Sequence, residues 1–77
     1  MIAEQRWSVS YSDELVARIE DAGYSLGKGT MRRTSVYRMA VDEASAYAAA
    51  RAWVFQKYGL NAAPDELQNA HAWNGVL

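Results

Sequence analysis

The stretch Asp42 to Tyr58, DEASAYAAARAWVFQKY, decides the fold. Asp42 is a strong helix N-cap, because its carboxylate can accept from the free backbone N–H groups of the first turn. Glu43 puts negative charge at the end of the helix dipole that favours it. Alanine, which loses least on entering a helix, dominates residues 44 to 52. Lys57 falls in the last turn, and Gly59 stands where a left-handed cap is wanted. One face carries Ala44, Tyr47, Ala48, Arg51, Val54, Phe55 and Tyr58; another carries Ala46, Ala49, Ala50 and Trp53. So much apolar surface implies burial on more than one side. Small residues at the front suit close approach to a sheet, and large aromatics at the rear suit the filling of a core. On this reading the helix keeps little surface for recognition.

The sheet must come from the flanks. Upstream, residues 1 to 5 read as a loose end. Arg6 to Tyr11 alternates strictly, with Trp7, Val9 and Tyr11 on one face and Arg6, Ser8 and Ser10 on the other. That is a half-buried strand whose aromatic face should meet the helix. Residues 12 to 23 support two readings. As a helix, Ser12 caps, Asp13 and Glu14 fill the first turn, and Leu15, Val16, Ile19 and Ala22 form a stripe. As a strand, Ser12 to Glu14 turn and Leu15 to Glu20 pair back on the first strand. Gly23 to Thr30, GYSLGKGT, is a flexible loop or a hairpin tip. Met31 to Val41 reads as a strand, with the Tyr37, Met39 and Val41 end as its more apolar side. Downstream, Pro64 stands at a first-turn position with Asp65 and Glu66 behind it. This predicts a short helix over 64–72 with Leu67, Ala70 and His71 facing inward. The expected class is α+β: a small antiparallel sheet of about three strands under helix 42–58, with the short C-terminal helix beside it.

Composition narrows the function classes. The 77 residues suit one small domain, which buries only about 60% of its unfolded surface. The absence of cysteine removes disulfides and thiolate metal sites and fits a reducing cytoplasm. No window is long and apolar enough to span a bilayer, and MIAEQRW is no signal peptide. A formal net charge of −1 argues against a general nucleic-acid binder and against an acidic DNA mimic, since both need a one-sided charge.

Few residues point to chemistry. Gly23-Tyr-Ser-Leu-Gly-Lys-Gly-Thr30 fails as a phosphate loop, because its first glycine is too close to the Gly-Lys pair and Gly29 stands where a magnesium-holding hydroxyl belongs. His71, the only histidine, has no carboxylate or nucleophile spaced to work with it, and a single His without Cys is a poor metal site. The serines sit in no nucleophile-elbow context. The expectation is therefore no enzyme activity, no cofactor and no metal. Trp7, Trp53 and Trp73 read as core, with Trp73 the candidate interface anchor because it lies in a terminal tail.

The basic residues are more informative. Lys28, Arg32, Arg33 and Arg38 are half of the eight cations and fall in one expected hairpin, the basic hairpin 28–38, with Tyr24 and Tyr37 nearby. Arg and Tyr are enriched at binding hot spots. Tyr24, Lys28, Arg32, Arg33 and Arg38 are thus the candidate partner-binding residues, suited to an acidic groove on a protein. The same set could grip phosphates and stack on bases, which makes a nucleic-acid or antitoxin-like module the alternative. Asp13, Glu14, Glu20 and Asp21 could neutralise it within the chain or across a homodimer.

The plan of strand Arg6–Tyr11, a charged hairpin ending at Arg32–Val41, and DEASAYAAARAW as one helix on the sheet resembles that of small stand-alone inhibitors made by phages and mobile elements, anti-CRISPR proteins among them. Toxin–antitoxin partners and small RNA-binding domains share the plan. The resemblance covers most of the chain and carries over no functional residue. It implies a protein that acts by occupying a surface of a larger host complex, a protein or ribonucleoprotein; the lack of cysteine and of catalytic motifs adds the expectation of a cytoplasmic, non-catalytic chain.

Overall fold

The computed structural model describes residues 3–73, without the side chain of Trp73; the expectations for that tryptophan and for the tail 74–77 lie outside the described residues. The fold is α+β. Its elements are β1 (Gln5–Tyr11), α1 (Asp13–Asp21), β2 (Ser35–Ala40), α2 (Glu43–Tyr58) and β3 (Leu67–Trp73), with 3₁₀ turns at Gly29–Met31 and Pro64–Glu66. The strands form an antiparallel sheet in the order β2-β1-β3, so the strand that comes first in sequence lies at the centre.

Both ends of α2 form as their residues dictate. The Asp42 carboxylate accepts from the Ser45 N–H at 2.8 Å, and Gly59 takes a left-handed φ of 69°. Ala46, Ala50 and Val54 are fully buried, and the small alanines bring the helix close to the sheet. Tyr47, Trp53 and Tyr58 pack at the margins of the core. Burial is nevertheless confined to one side. Ala44, Ala48 and Arg51 are exposed and Phe55 is 54% exposed, because a single sheet lies beneath the helix and no layer lies above it.

Of the two readings of residues 12 to 23, the helix is the one observed. The Ser12 hydroxyl accepts from the Leu15 N–H at 3.1 Å, and Leu15, Val16 and Ile19 close one end of the core beside Val9. With α1 in between, β1 and β2 are neighbours but not a hairpin. The connection is pinned by buried Leu26, whose carbonyl accepts from the Arg33 N–H. Next to it Gly27 has φ 93°, and a Cβ there would stand 2.7 Å from the Met31 carbonyl oxygen, so this turn needs glycine.

Two strand expectations need correction. β2 begins at Ser35, not Met31, because Met31 belongs to the 3₁₀ turn. Its buried side chains are Val36 and Ala40, whereas Tyr37 and Met39 are 57% and 52% exposed. Register explains the inversion: Val36 pairs with core residue Val9, and Tyr37 pairs with Ser8 on the sheet face away from α2. At the other end, the helical start signals of Pro64, Asp65 and Glu66 produce only one 3₁₀ turn. Residues 67–73 form β3 rather than the rest of a helix over 64–72. An extended chain here satisfies the free edge of β1, and a long-range ladder outweighs a local preference. Leu67 is buried opposite Tyr11 and Ala70 is half-buried, but His71 is exposed opposite Ser8 instead of facing inward. The β1–β3 register slips between Ser8 and Ser10, where β3 carries an extra residue. Asn69 absorbs this bulge with φ 56°, and the Ala70 N–H turns to donate to the Tyr47 hydroxyl at 3.1 Å.

Glu66 ties the helix–strand junction together. Its carbonyl accepts from the Ser12 N–H, and its buried carboxylate accepts from the Ala63 N–H at 2.8 Å and from the Arg18 guanidinium. Arg18 also donates to the Asn61 carbonyl at 3.2 Å.

Candidate binding groove

A groove of about 610 Å³ lies between the entry to β2 and the last turns of α2. One wall is the run from Thr30 to Tyr37; the other is Trp53, Lys57 and Tyr58, with Tyr11 at the end of β1 between them. The α2 wall follows from helical spacing. Trp53 and Lys57 are four residues apart on the flank of the helix beside its buried stripe, and Tyr58 follows Lys57 one step round. The β2 wall is positioned by the Leu26–Arg33 bond and the Gly27 turn.

The groove is lined by three cations, Arg32, Arg33 and Lys57, and by no carboxylate. Arg32 is paired from outside the lining by Glu20 of α1, at 2.8 Å with both side chains about two-fifths exposed. Such a pair is weak and readily exchanged for a ligand carboxylate. The aromatic floor is neutral across the physiological range. Burial, and then the neighbouring Tyr58, push the Tyr11 phenol up to about 12, against a hydrogen bond from Trp53 that works the other way. Burial also raises Tyr58, with Arg33 opposing and Tyr24 reinforcing the shift. The Arg38 guanidinium and the Lys57 ammonium lie over the Trp53 ring, 4.8 and 5.1 Å from its centroid.

The five residues singled out from sequence are only partly brought together. Arg32 and Arg33 line the groove. Arg38 borders it by stacking on Trp53, and Tyr24 supports it by meeting Tyr58 edge-on at 4.9 Å. Lys28 is exposed on the loop and is not part of the lining. Sequence reasoning missed Tyr11, Trp53, Lys57 and Tyr58. The signal that could have found Trp53 and Lys57 is their four-residue spacing, which puts an aromatic and a cation on one flank of the helix.

No protein-family model matches the chain, and no curated protein or solved structure matches it either. Among the described residues no helix is long and apolar enough to cross a membrane.

Proposed function

We propose that this chain is a non-catalytic binding module that occupies a surface of a larger host complex by receiving an acidic protein element in the groove. The observation that carries the reading is the groove lining: Arg32, Arg33 and Lys57 around aromatic rings, with no carboxylate among them. Arginine forms bidentate pairs with carboxylates, and aromatic walls supply contact area, so an acidic segment with some apolar surface is the matching ligand. The net charge of −1 does not oppose this, because recognition follows local charge. Single-stranded nucleic acid fits less well. Bases stack on free aromatic faces, and Trp53 already carries Arg38 and Lys57 over its ring.

The finer reading is an inhibitor of a host defence complex, of the anti-CRISPR type, acting in the cytoplasm; it rests on the general plan of strand, charged segment and helix. It predicts that the chain relieves RNA-guided interference in cells and that a folded Arg33→Glu variant does not. The groove itself is tested by fluorescence anisotropy with a labelled oligoglutamate peptide and a labelled mixed-sequence oligonucleotide. The peptide should bind, and Arg33→Glu or Lys57→Glu should weaken it at least about tenfold. Salt-dependent oligonucleotide binding, abolished by Arg32→Ala with Arg33→Ala, would replace this reading with nucleic-acid binding.

A further inference from the structure

The groove has a strand edge as one of its walls. β2 lies at the rim of the sheet, with β1 as its only strand neighbour among the described residues. The Tyr11 N–H donates to the Thr34 carbonyl at 2.8 Å, which sets the phase of the antiparallel ladder. In that ladder alternate residues exchange both backbone bonds with the partner strand. The backbone groups of Thr34, Val36, Arg38 and Ala40 therefore point at β1. Those of Ser35, Tyr37 and Met39 point away from β1, along the open edge, and Ser35 and Tyr37 also line the groove. Arg33 marks where this edge starts, since its N–H is taken by the Leu26 carbonyl.

From this arrangement we infer that the partner segment binds as an added strand, paired antiparallel or parallel with Ser35–Met39 and packed against Trp53 and Tyr58. The inference rests on the groove being the binding site and adds the form and register of the ligand. An extended segment of about five residues covers the run from Ser35 to Met39. Its side chains alternate between the α2 side and the open sheet face. Those on the α2 side enter between Val36 and the Trp53–Tyr58 wall, where Arg33 and Lys57 meet acidic tips. Backbone bonds to the edge supply affinity without regard to sequence, and the cations select acidic residues at alternate positions. The same cations act against self-association. Two copies paired edge to edge through β2 would bring Arg33 and Arg38 of each into the field of the other's, and like charges across strands are destabilising. The occupant is thus an acidic strand from another protein, not a second copy.

The test is a random peptide library selected on the folded chain, followed by amide hydrogen exchange of the chain with the enriched peptide bound. The expected result is enrichment of peptides acidic at alternate positions, at least about tenfold weaker on Arg33→Glu, with new protection of at least about tenfold at the Ser35, Tyr37 and Met39 amides. The Val36 and Arg38 amides, already bonded to β1, should change far less. Acidic peptides that depend on Arg33 but leave Ser35, Tyr37 and Met39 exchanging as in the free chain would overturn strand addition while keeping the groove. Enriched peptides that are not acidic, or that bind the folded Arg33→Glu variant equally, would overturn the groove reading itself. Failure to enrich any peptide would overturn both.

Discussion

Replacing Glu66 with alanine should remove about 2 kcal/mol of stability, although Glu66 belongs to neither an α-helix nor a strand. The carboxylate serves two donors. Losing the bond from the Ala63 N–H strands a donor at the start of a turn, a loss comparable to an N-cap at about 1 kcal/mol. Arg18 is 43% exposed at its side chain, so its ion pair is discounted to about 0.5–1 kcal/mol despite the buried partner. Small domains have urea m-values near 1 kcal/mol/M, so the midpoint should fall by about 2 M. Glu66→Gln keeps an acceptor for Ala63 and loses only the ionic part, so it should cost about half as much. A cycle with Arg18→Met should return a coupling of about 0.5–1 kcal/mol. The pH dependence has a definite sign. Burial alone would raise the carboxyl, but the Ala63 bond and Arg18 outweigh it and hold the folded-state pKa below 4.5. A depressed carboxylate stabilises above its unfolded pKa and loses that contribution as pH falls through the folded value. The gap between wild type and Glu66→Gln should therefore be full at neutral pH and shrink below pH 4.5. If the Gln and Ala variants prove equally destabilised, or the gap does not change with pH, the two-donor account is wrong.

Three further outcomes are expected. Trp53→Ala should cost about 2 kcal/mol, less than a fully buried tryptophan would, because Trp53 is half-buried; thermal melts giving a loss of about 3–5 kcal/mol would show that its ring is core and not groove wall. Asn69→Ala should cost about 1 kcal/mol and Asn69→Gly almost nothing, since the bulge needs φ 56° there; equal denaturation midpoints for both would remove the left-handed requirement. Tyr47→Phe should cost about 1 kcal/mol and speed hydrogen exchange at Ala70, whose N–H it leaves without an acceptor; unchanged exchange would mean that the bulge does not depend on the hydroxyl.

The parts of the fold legible in the sequence are those set by neighbours in sequence. Asp42 and Gly59 mark the ends of α2 because caps are satisfied within one turn. The face of β1 is legible because Trp7, Val9 and Tyr11 alternate cleanly. β2 is misread because Tyr37 and Met39 outweigh Val36 and Ala40 in apolar size, and only the pairing of Val36 with Val9 decides which set is buried. β3 is misread because Pro64 and the acids behind it give a real local start, while the empty edge of β1 that diverts the chain lies far away in sequence. The groove is half legible for the same reason. Arg32 and Arg33 stand out as a local cluster, but Trp53, Lys57 and Tyr58 join them only once α2 is laid beside β2.

The strand order has a consequence for how the molecule reaches this state. β1 comes first in sequence and sits in the middle, so one of its ladders waits for β2 and the other for β3. The helices α1 and α2 need only neighbouring residues and can form within microseconds, whereas the β1–β3 ladder must close a loop spanning most of the described chain. Until it does, β1 offers an open edge backed by an unfinished apolar face. That edge is the vulnerable one: a cleavage between Gly59 and Ala63 would leave it bare, and β1 would then pair with whatever strand it met. The same topology gives cooperativity to the finished domain, since neither ladder can be lost without exposing the strand on which the other depends.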